Sequence, residues 1–390
     1  MQKKSVTKTL LIIMILFFWF AQYVYIPYHT PYLLSLGAAS SFVGIIVGAY
    51  GFAQVLFRIP IGIFADRKAG QKKIIFIGLI CAALASAIRI IFPYPAAFLI
   101  ANFITGVTSA TWVSVTVFFS SLYEPGELKK AMGISIAGNN TGILLGFIAS
   151  AYISDQLGIT FLFAASIISA VCGLITWFFI KESSPERTEP GKIDLIGILK
   201  NPSLLFFSFL GLLLQAVVFS TAMSFTTSYA KLLSASDFDL ALCMIIFIMV
   251  SVIVPLIIGY AKRWSNKAMF IFLFGCFVVY CGLLPFATKM WQLHVLQGVC
   301  GIANGGIMSL AMACSMESAK DGCRSTTMAV FQACYGIGMT LGPIFTGVLV
   351  DHFGYTAGFL SMAVFSLGGI AVVLFKMKGN AFISRRKTHV

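Results

Sequence analysis

The sequence predicts an all-α membrane protein of twelve transmembrane helices, arranged as two six-helix repeats. Three observations predict it: an extreme apolar composition, twelve long apolar runs, and basic residues confined to alternate loops. Of 390 residues, 59% are hydrophobic and only 10% are charged. A soluble domain is about half apolar and about a quarter charged. A water-soluble core cannot hide that much apolar surface, so lipid must cover much of it.

The runs are 9–36, 42–65, 73–92, 95–121, 131–153, 159–180, 203–230, 238–261, 268–287, 290–315, 325–350 and 355–376. A hydrocarbon core of about 30 Å needs roughly 20 apolar residues as a helix. Backbone polar groups in lipid must pair internally, which leaves helices or closed barrels. These runs lack the alternation of barrel strands.

The net charge of +14 reports topology rather than nucleic-acid binding. With the N-terminus placed in the cytoplasm, 23 of the 27 Lys and Arg fall on that side. Only Lys231 and Lys289 fall outside, and Arg58 and Arg89 lie within spans. This positive-inside bias predicts cytoplasmic N- and C-termini. No Lys/Arg-rich soluble domain offers a surface to a nucleic acid. The N-terminal stretch is basic and then apolar like a signal peptide, but Tyr23, Tyr25 and Pro27 follow in place of small residues, so it reads as a retained first span. Most of the nine cysteines lie in spans and none forms a C-x-x-C pair, so they read as packing residues, not metal ligands.

Residues 181–202 hold eight charges and three prolines. They divide the chain into an N-terminal bundle (1–180), a cytoplasmic linker (181–202) and a C-terminal bundle with a short cytoplasmic tail (203–390). Ile193, Leu195, Ile196, Ile198 and Leu199 among charges suit a short helix on the membrane surface. The halves are related by a shift of 196 residues. Met132 meets Met328, Gly142 meets Gly338, Gly146 meets Gly342, Asp155 meets Asp351 and Gly158 meets Gly354, without a gap over 29 positions. Six-helix halves repeated in parallel are a known transporter plan, with the solute site at the midplane between them.

With these residues in hand, the chain resembles the major facilitator superfamily over nearly its whole length. The family's loop between spans two and three reads roughly G-x-x-x-D-R-x-G-R-K. Here it runs Gly62-Ile63-Phe64-Ala65-Asp66-Arg67-Lys68-Ala69-Gly70-Gln71-Lys72-Lys73, with one extra residue before Gly70 and Gln71 in place of the first base. The resemblance implies a conformational latch at Gly62, Asp66, Arg67 and Gly70. The family's span-four arginine, four residues before a glycine, is replaced by Asn102 before Gly106, and span ten has Gln297 before Gly301. Proton-linked roles of that arginine therefore do not carry over. The glycine-proline signature of drug antiporters is altered in span five, where Phe147 replaces proline. Its full form, Gly338, Gly342 and Pro343, stands in span eleven. Gly142, Gly146, Gly338, Gly342 and Pro343 read as helix-packing positions, where small residues permit close crossing and proline bends the helix.

In this fold spans one, four, seven and ten line the cavity. Gln22, Tyr25, His29, Asn102, Trp112, Gln215, Gln297 and Asn304 are the candidate substrate-binding residues. Unpaired polar groups are costly in hydrocarbon, so such stripes face protein or water. Ser and Thr positions such as Thr105 read as helix–helix glue. Trp112 and Tyr25 also fit packing, and Tyr25 and Tyr32 also fit an outer interface belt. Arg58 is expected to be structural or to snorkel, and Arg89, near the outer end of span three, to snorkel.

All thirteen acids fall in loops or at span ends. With no mid-span carboxylate, His29 is the one coupling candidate with a useful pKa. A cationic solute would lack a counter-ion, so a neutral, zwitterionic or weakly anionic organic solute is expected.

The leading expectation is a secondary active or facilitative transporter of a small organic molecule, working by alternating access. A proton-coupled multidrug or metabolite exporter is the alternative. A membrane-embedded transferase would need a catalytic cluster, and the four histidines are scattered. The expected setting is a bacterial inner or plasma membrane. The expected partners are the solute and the lipid bilayer, with the protein a monomer, without cofactor or enzymatic activity.

Overall fold

Apolar runs bounded by charges, Gly or Pro become helices in a computed structural model of the chain, which describes residues 2–68, 71–123, 128–180, 195–260, 265–318 and 324–377. The first group of helices is α1 (Gln2–Tyr23), α2 (Ile26–Ser35), α3 (Ser40–Lys68), α4 (Gln71–Ile91), α5 (Pro95–Ala110), α6 (Trp112–Ser120), α7 (Leu128–Leu157) and α8 (Ile159–Phe179). A five-residue helix, α9 (Leu195–Leu199), stands where the sequence suggested a short linker helix. Residues 181–194 of the linker lie outside the described residues. The second group is α10 (Pro202–Ser220), α11 (Thr226–Leu232), α12 (Asp237–Tyr260), α13 (Asn266–Leu283), α14 (Met290–Glu317) and α15 (Arg324–Lys376). α15 is two spans, eleven and twelve, broken at Gly354 with φ 78° and ψ 174°. Twelve spans result among the described residues.

Three spans are interrupted near their middle. Span one breaks between α1 and α2, where Pro27 has no N–H to continue the helical ladder. Span four breaks at Thr111, between α5 and α6. Span seven carries a π-turn, Thr221–Phe225, between α10 and α11. Such turns often sit at functional sites.

The duplication is visible in the packing. α1 packs on α7 and α8, α3 on α5, and α4 on α5 and α8. In the second half α10 and α13 pack on α15, and α12 and α13 on α14. Gly142 faces the Leu16 carbonyl, and Gly338 faces the Leu212 carbonyl, each so closely that an added methyl would overlap it. Gly342 repeats the pattern against the Ala216 carbonyl, while Gly146 crosses less tightly, against the Val24 backbone. Gly158, with φ 83°, and Gly354 turn the chain between the last two spans of each half in a conformation that side chains disfavour.

The halves meet along α3 with α15 and α7 with α12. Bonds between them cluster at the face opposite the termini. Thr30 Oγ1 and Ser224 Oγ are 2.9 Å apart, and the Tyr28 hydroxyl donates to the Asp237 carbonyl at 2.7 Å. Asp351 accepts from the Ser40 and Ser41 backbone N–H groups at 2.6 Å each. Gly44 backs onto the Pro343 carbonyl. That far face is closed. Large apolar side chains such as Phe178, Ile168, Val364 and Phe375 remain exposed, as a lipid-facing perimeter requires.

Candidate functional site

The breaks in spans one and seven meet at one small cavity of about 40 Å³, which span four joins through residues ahead of its own break. Span one contributes Gln22, Tyr23, Tyr25, Ile26 and His29, and span two Val47 and Tyr50. Span four contributes Asn102 and Thr105, and span seven Phe219 and Met223. The cavity is thus walled by both halves. Tyr50 of span two stacks on Phe219 of span seven, with ring centroids 5.7 Å apart and planes at 15°.

A chain of hydrogen bonds orients the polar wall. Ser109 Oγ donates to Gln22 Oε1 at 2.6 Å, so the Tyr50 hydroxyl donates to Ser109 at 2.7 Å. Asn102 Nδ2 donates to the Ile46 carbonyl at 2.9 Å, tying span four to span two. His29 is buried between the rings of Tyr25 and Phe98, with centroids 5.9 and 5.7 Å away. Its Nε2 has no hydrogen-bond partner.

Arg89 corrects one expectation. It does not snorkel: it is 1% exposed. Its Nη2 donates to Asn102 Oδ1 at 2.7 Å and to Thr105 Oγ1 at 3.0 Å, and the guanidinium lies 4.4 Å from the Tyr25 ring centroid. Its stem turns inward because Asn102 and Thr105 offer acceptors that lipid does not. The positive charge missing from position 102 of span four is therefore supplied by span three. Arg58 does not snorkel either. It is buried, bonds Gln54, and donates from Nη1 to the Gln332 carbonyl at 3.2 Å, joining span two to span eleven.

Four of the eight candidate binding residues reach the cavity: Gln22, Tyr25, His29 and Asn102. Tyr25 is buried and belongs to no interface belt. Thr105 bonds the Ala101 carbonyl, as a glue residue would, and also lines the cavity. The other four lie away from it. Trp112 packs edge-on against Trp19 at 5.2 Å. Asn304 donates to Ser251 Oγ at 3.1 Å and ties span ten to span eight. Gln215 is buried in α10. Gln297 is fully buried, and neither of its side-chain polar atoms has a partner. Tyr23, Tyr50 and Met223 join the wall without any signal in the sequence pattern. Tyr50 stands in span two, outside the four spans expected to line the cavity, and a ring or a thioether carries no polar periodicity. Gly62, Asp66 and Arg67 fall in the last turns of α3, but their side chains, like all of Gly70, lie outside the described residues.

The profile of the Major Facilitator Superfamily matches residues 11–288 and 233–388, which together span nearly the whole chain. The chain belongs to the major facilitator superfamily. It is accordingly a multi-pass integral membrane protein and a transporter of small solutes, not an enzyme. Among similar proteins, the inner membrane transport protein YajR of Escherichia coli is 25% identical over 377 residues, covering 94% of this chain and 82% of YajR. The multidrug resistance protein MdtG of Citrobacter koseri is 24% identical over 270 residues, covering 66% of this chain and 64% of MdtG. Among solved structures, the nucleoside transporter NupG superposes with a TM-score of 0.77 at 15% identity, over 97% of this chain and all of that one. At that identity the likeness speaks for the fold alone.

Proposed function

We propose that the cavity between spans one, two, four and seven is the solute site of this transporter. The observation that carries the reading is convergence. Spans one and seven break beside it, and with spans two and four they bring Gln22, His29, Asn102, Tyr50 and Met223 around one cavity walled by both halves. Helix breaks at membrane depth are tolerated where they are buried in protein or line a cavity. Rocking one half on the other would expose such a site to each side in turn. The bundles 1–180 and 203–390 are the rigid bodies of that motion, joined by the linker 181–202. Trp112, Gln215, Gln297 and Asn304, away from the cavity in this closed-far-face state, are assigned to the path opened when the halves tilt.

The termini face the cytoplasm, as the basic loops argue, so the closed far face is the outer one. A bacterial inner membrane and a monomeric protein without nucleic-acid partners fit the same reading; YajR is itself named an inner membrane protein. Export is the favoured direction, since MdtG is named a multidrug resistance protein. The latch of Gly62, Asp66, Arg67 and Gly70 holds the inner side closed when the outer side opens. His29 is the candidate for proton coupling, because no carboxylate lies mid-span.

The test is solute movement in proteoliposomes with and without a pH gradient, across a panel of small organic acids, amides and amines. Gln22→Leu should depress transport of whatever solute moves. Transport unaffected by Gln22→Leu would remove the cavity as the site. Gradient dependence that survives His29→Gln would remove His29 as the proton carrier, and Asp66→Asn with unchanged kinetics would remove the latch.

A further inference from the structure

We infer that this cavity takes the anionic group of an organic solute, a carboxylate or sulfonate, under the field of Arg89; the inference rests on the cavity being the solute site. Arg89 stands one side chain behind the wall. Asn102, Thr105 and Tyr25 line the cavity, and all three touch the guanidinium. Both hydrogen-bonding partners are neutral. The guanidinium's Nε and Nη1 are buried without a hydrogen-bond partner.

No acid among the described residues offsets this charge. All thirteen Asp and Glu of the chain lie in loops or at span ends, and the second cation inside a span, Arg58, is directed to Gln54 and Gln332. A buried cation without a counter-ion is unfavourable unless something completes it. The cavity is the adjoining space where a counter-ion can arrive and leave. His29, on the same wall, holds a second unpartnered nitrogen. A solute cation entering here would meet only like charge and neutral dipoles, whereas an anion supplies what the guanidinium lacks.

A charged thiol reagent reads this field whatever the natural solute is. Met223→Cys places a thiol on the cavity wall, and Ser35→Cys places one at an exposed reference position. Each full-length variant in proteoliposomes is treated with a sulfonate-bearing or a trimethylammonium-bearing methanethiosulfonate. Modification at the new cysteine is followed by peptide mass spectrometry.

The anionic-to-cationic rate ratio at 223 should exceed that at 35 by about tenfold, the scale on which a charged cleft concentrates counter-ions. Arg89→Gln should bring the ratio at 223 down to the reference, while Arg89→Lys should keep it. A ratio at 223 no higher than at 35, or one unmoved by Arg89→Gln, overturns the inference. If Arg89→Gln fails to fold, the comparison of positions 223 and 35 with Arg89 intact decides alone. No modification at 223 by either reagent overturns the solute-site reading itself, and the inference with it.

Discussion

Asp351, at the turn between spans eleven and twelve, caps the start of span two by accepting the Ser40 N–H at 2.6 Å. Its second oxygen accepts the Ser41 N–H, also at 2.6 Å. A carboxylate from one half thus satisfies two free N–H groups at the helix N-terminus of the other, where the helix dipole also favours negative charge. The contact is a clasp on the closed far face.

Asp351→Asn should loosen that clasp. A carboxylate at an exposed helix N-terminus contributes about 0.3–1 kcal/mol, which is roughly a two- to fivefold shift in the closed-to-open ratio. Spin labels at Ser35 and Lys231 would report it as a larger fraction of long distances; an unchanged distribution would remove the clasp. Partial burial pushes the Asp351 carboxyl up, but hydrogen bonds from Ser41 and Ser40 outweigh it and hold the group below the ordinary 3.8. Because the lowered value belongs to the clasped state, the contribution is in place above the ordinary carboxylate range. It is lost as pH falls through the lowered value, so the far face should loosen only in acid below about pH 4.

Gly338→Ala should be the most damaging of three glycine substitutions, and Gly275→Ala the least. A methyl at Gly338 would overlap the Leu212 carbonyl, one at Gly142 would press on the Leu16 carbonyl, and one at Gly275 would meet nothing within 4 Å. Backbone cannot move aside as a flexible side chain can. Overpacking of this kind typically costs about 1–3 kcal/mol. Thermal melting in detergent should rank the variants Gly338 below Gly142 below Gly275. Equal melting of Gly338→Ala and Gly275→Ala would contradict the close crossing.

The twin glycines show what was legible in the sequence. A duplicated half must repeat its tight crossings, so matching residues 196 apart locates Gly142 and Gly338 from the chain alone. Gly158 and Gly354, which turn the chain in each half, pair in the same way. Arg89 shows what was not legible. Helical periodicity puts a residue on a face but does not say which neighbour meets that face. A long basic side chain near a span end can reach the interface or turn inward. The choice depends on Asn102 and Thr105, thirteen and sixteen residues on. Tyr50 is hidden for a related reason: its role depends on a ring in the other half, Phe219, which no local pattern reveals.

Asn102→Asp should remove the preference for anions, its pairing with Arg89 offsetting the loss of the Nδ2 bond to the Ile46 carbonyl. The new carboxylate would sit at the 2.7 Å contact that Arg89 makes with the present amide oxygen. It would supply the counter-ion that the buried guanidinium lacks. Asn102→Leu should lower stability and keep the anion preference, since a hydrogen bond to a charged group contributes about 1.5–3 kcal/mol and Arg89 would keep only Thr105 as a hydrogen-bond partner. Melting temperatures and the charged-reagent ratio at position 223 measure both effects. A less stable Asn102→Asp with its anion preference intact would show that Arg89 already has a counter-ion.

Gln297→Leu should raise stability and depress transport together. Gln297 is fully buried in span ten, and neither its amide nitrogen nor its carbonyl oxygen has a partner in the closed-far-face state. An unpaired buried polar group costs about 1–3 kcal/mol, and a leucine of similar size relieves it. A transporter keeps such a group if a second conformation satisfies it, against solute, water or the other half. Removing it then deepens the closed state at the expense of the open one, which is the ordinary conflict between stability and activity. Melting in detergent and solute flux in proteoliposomes decide the matter. Higher stability with undiminished flux would make Gln297 idle in the cycle, whereas lower stability would mean that it is already bonded in the resting state.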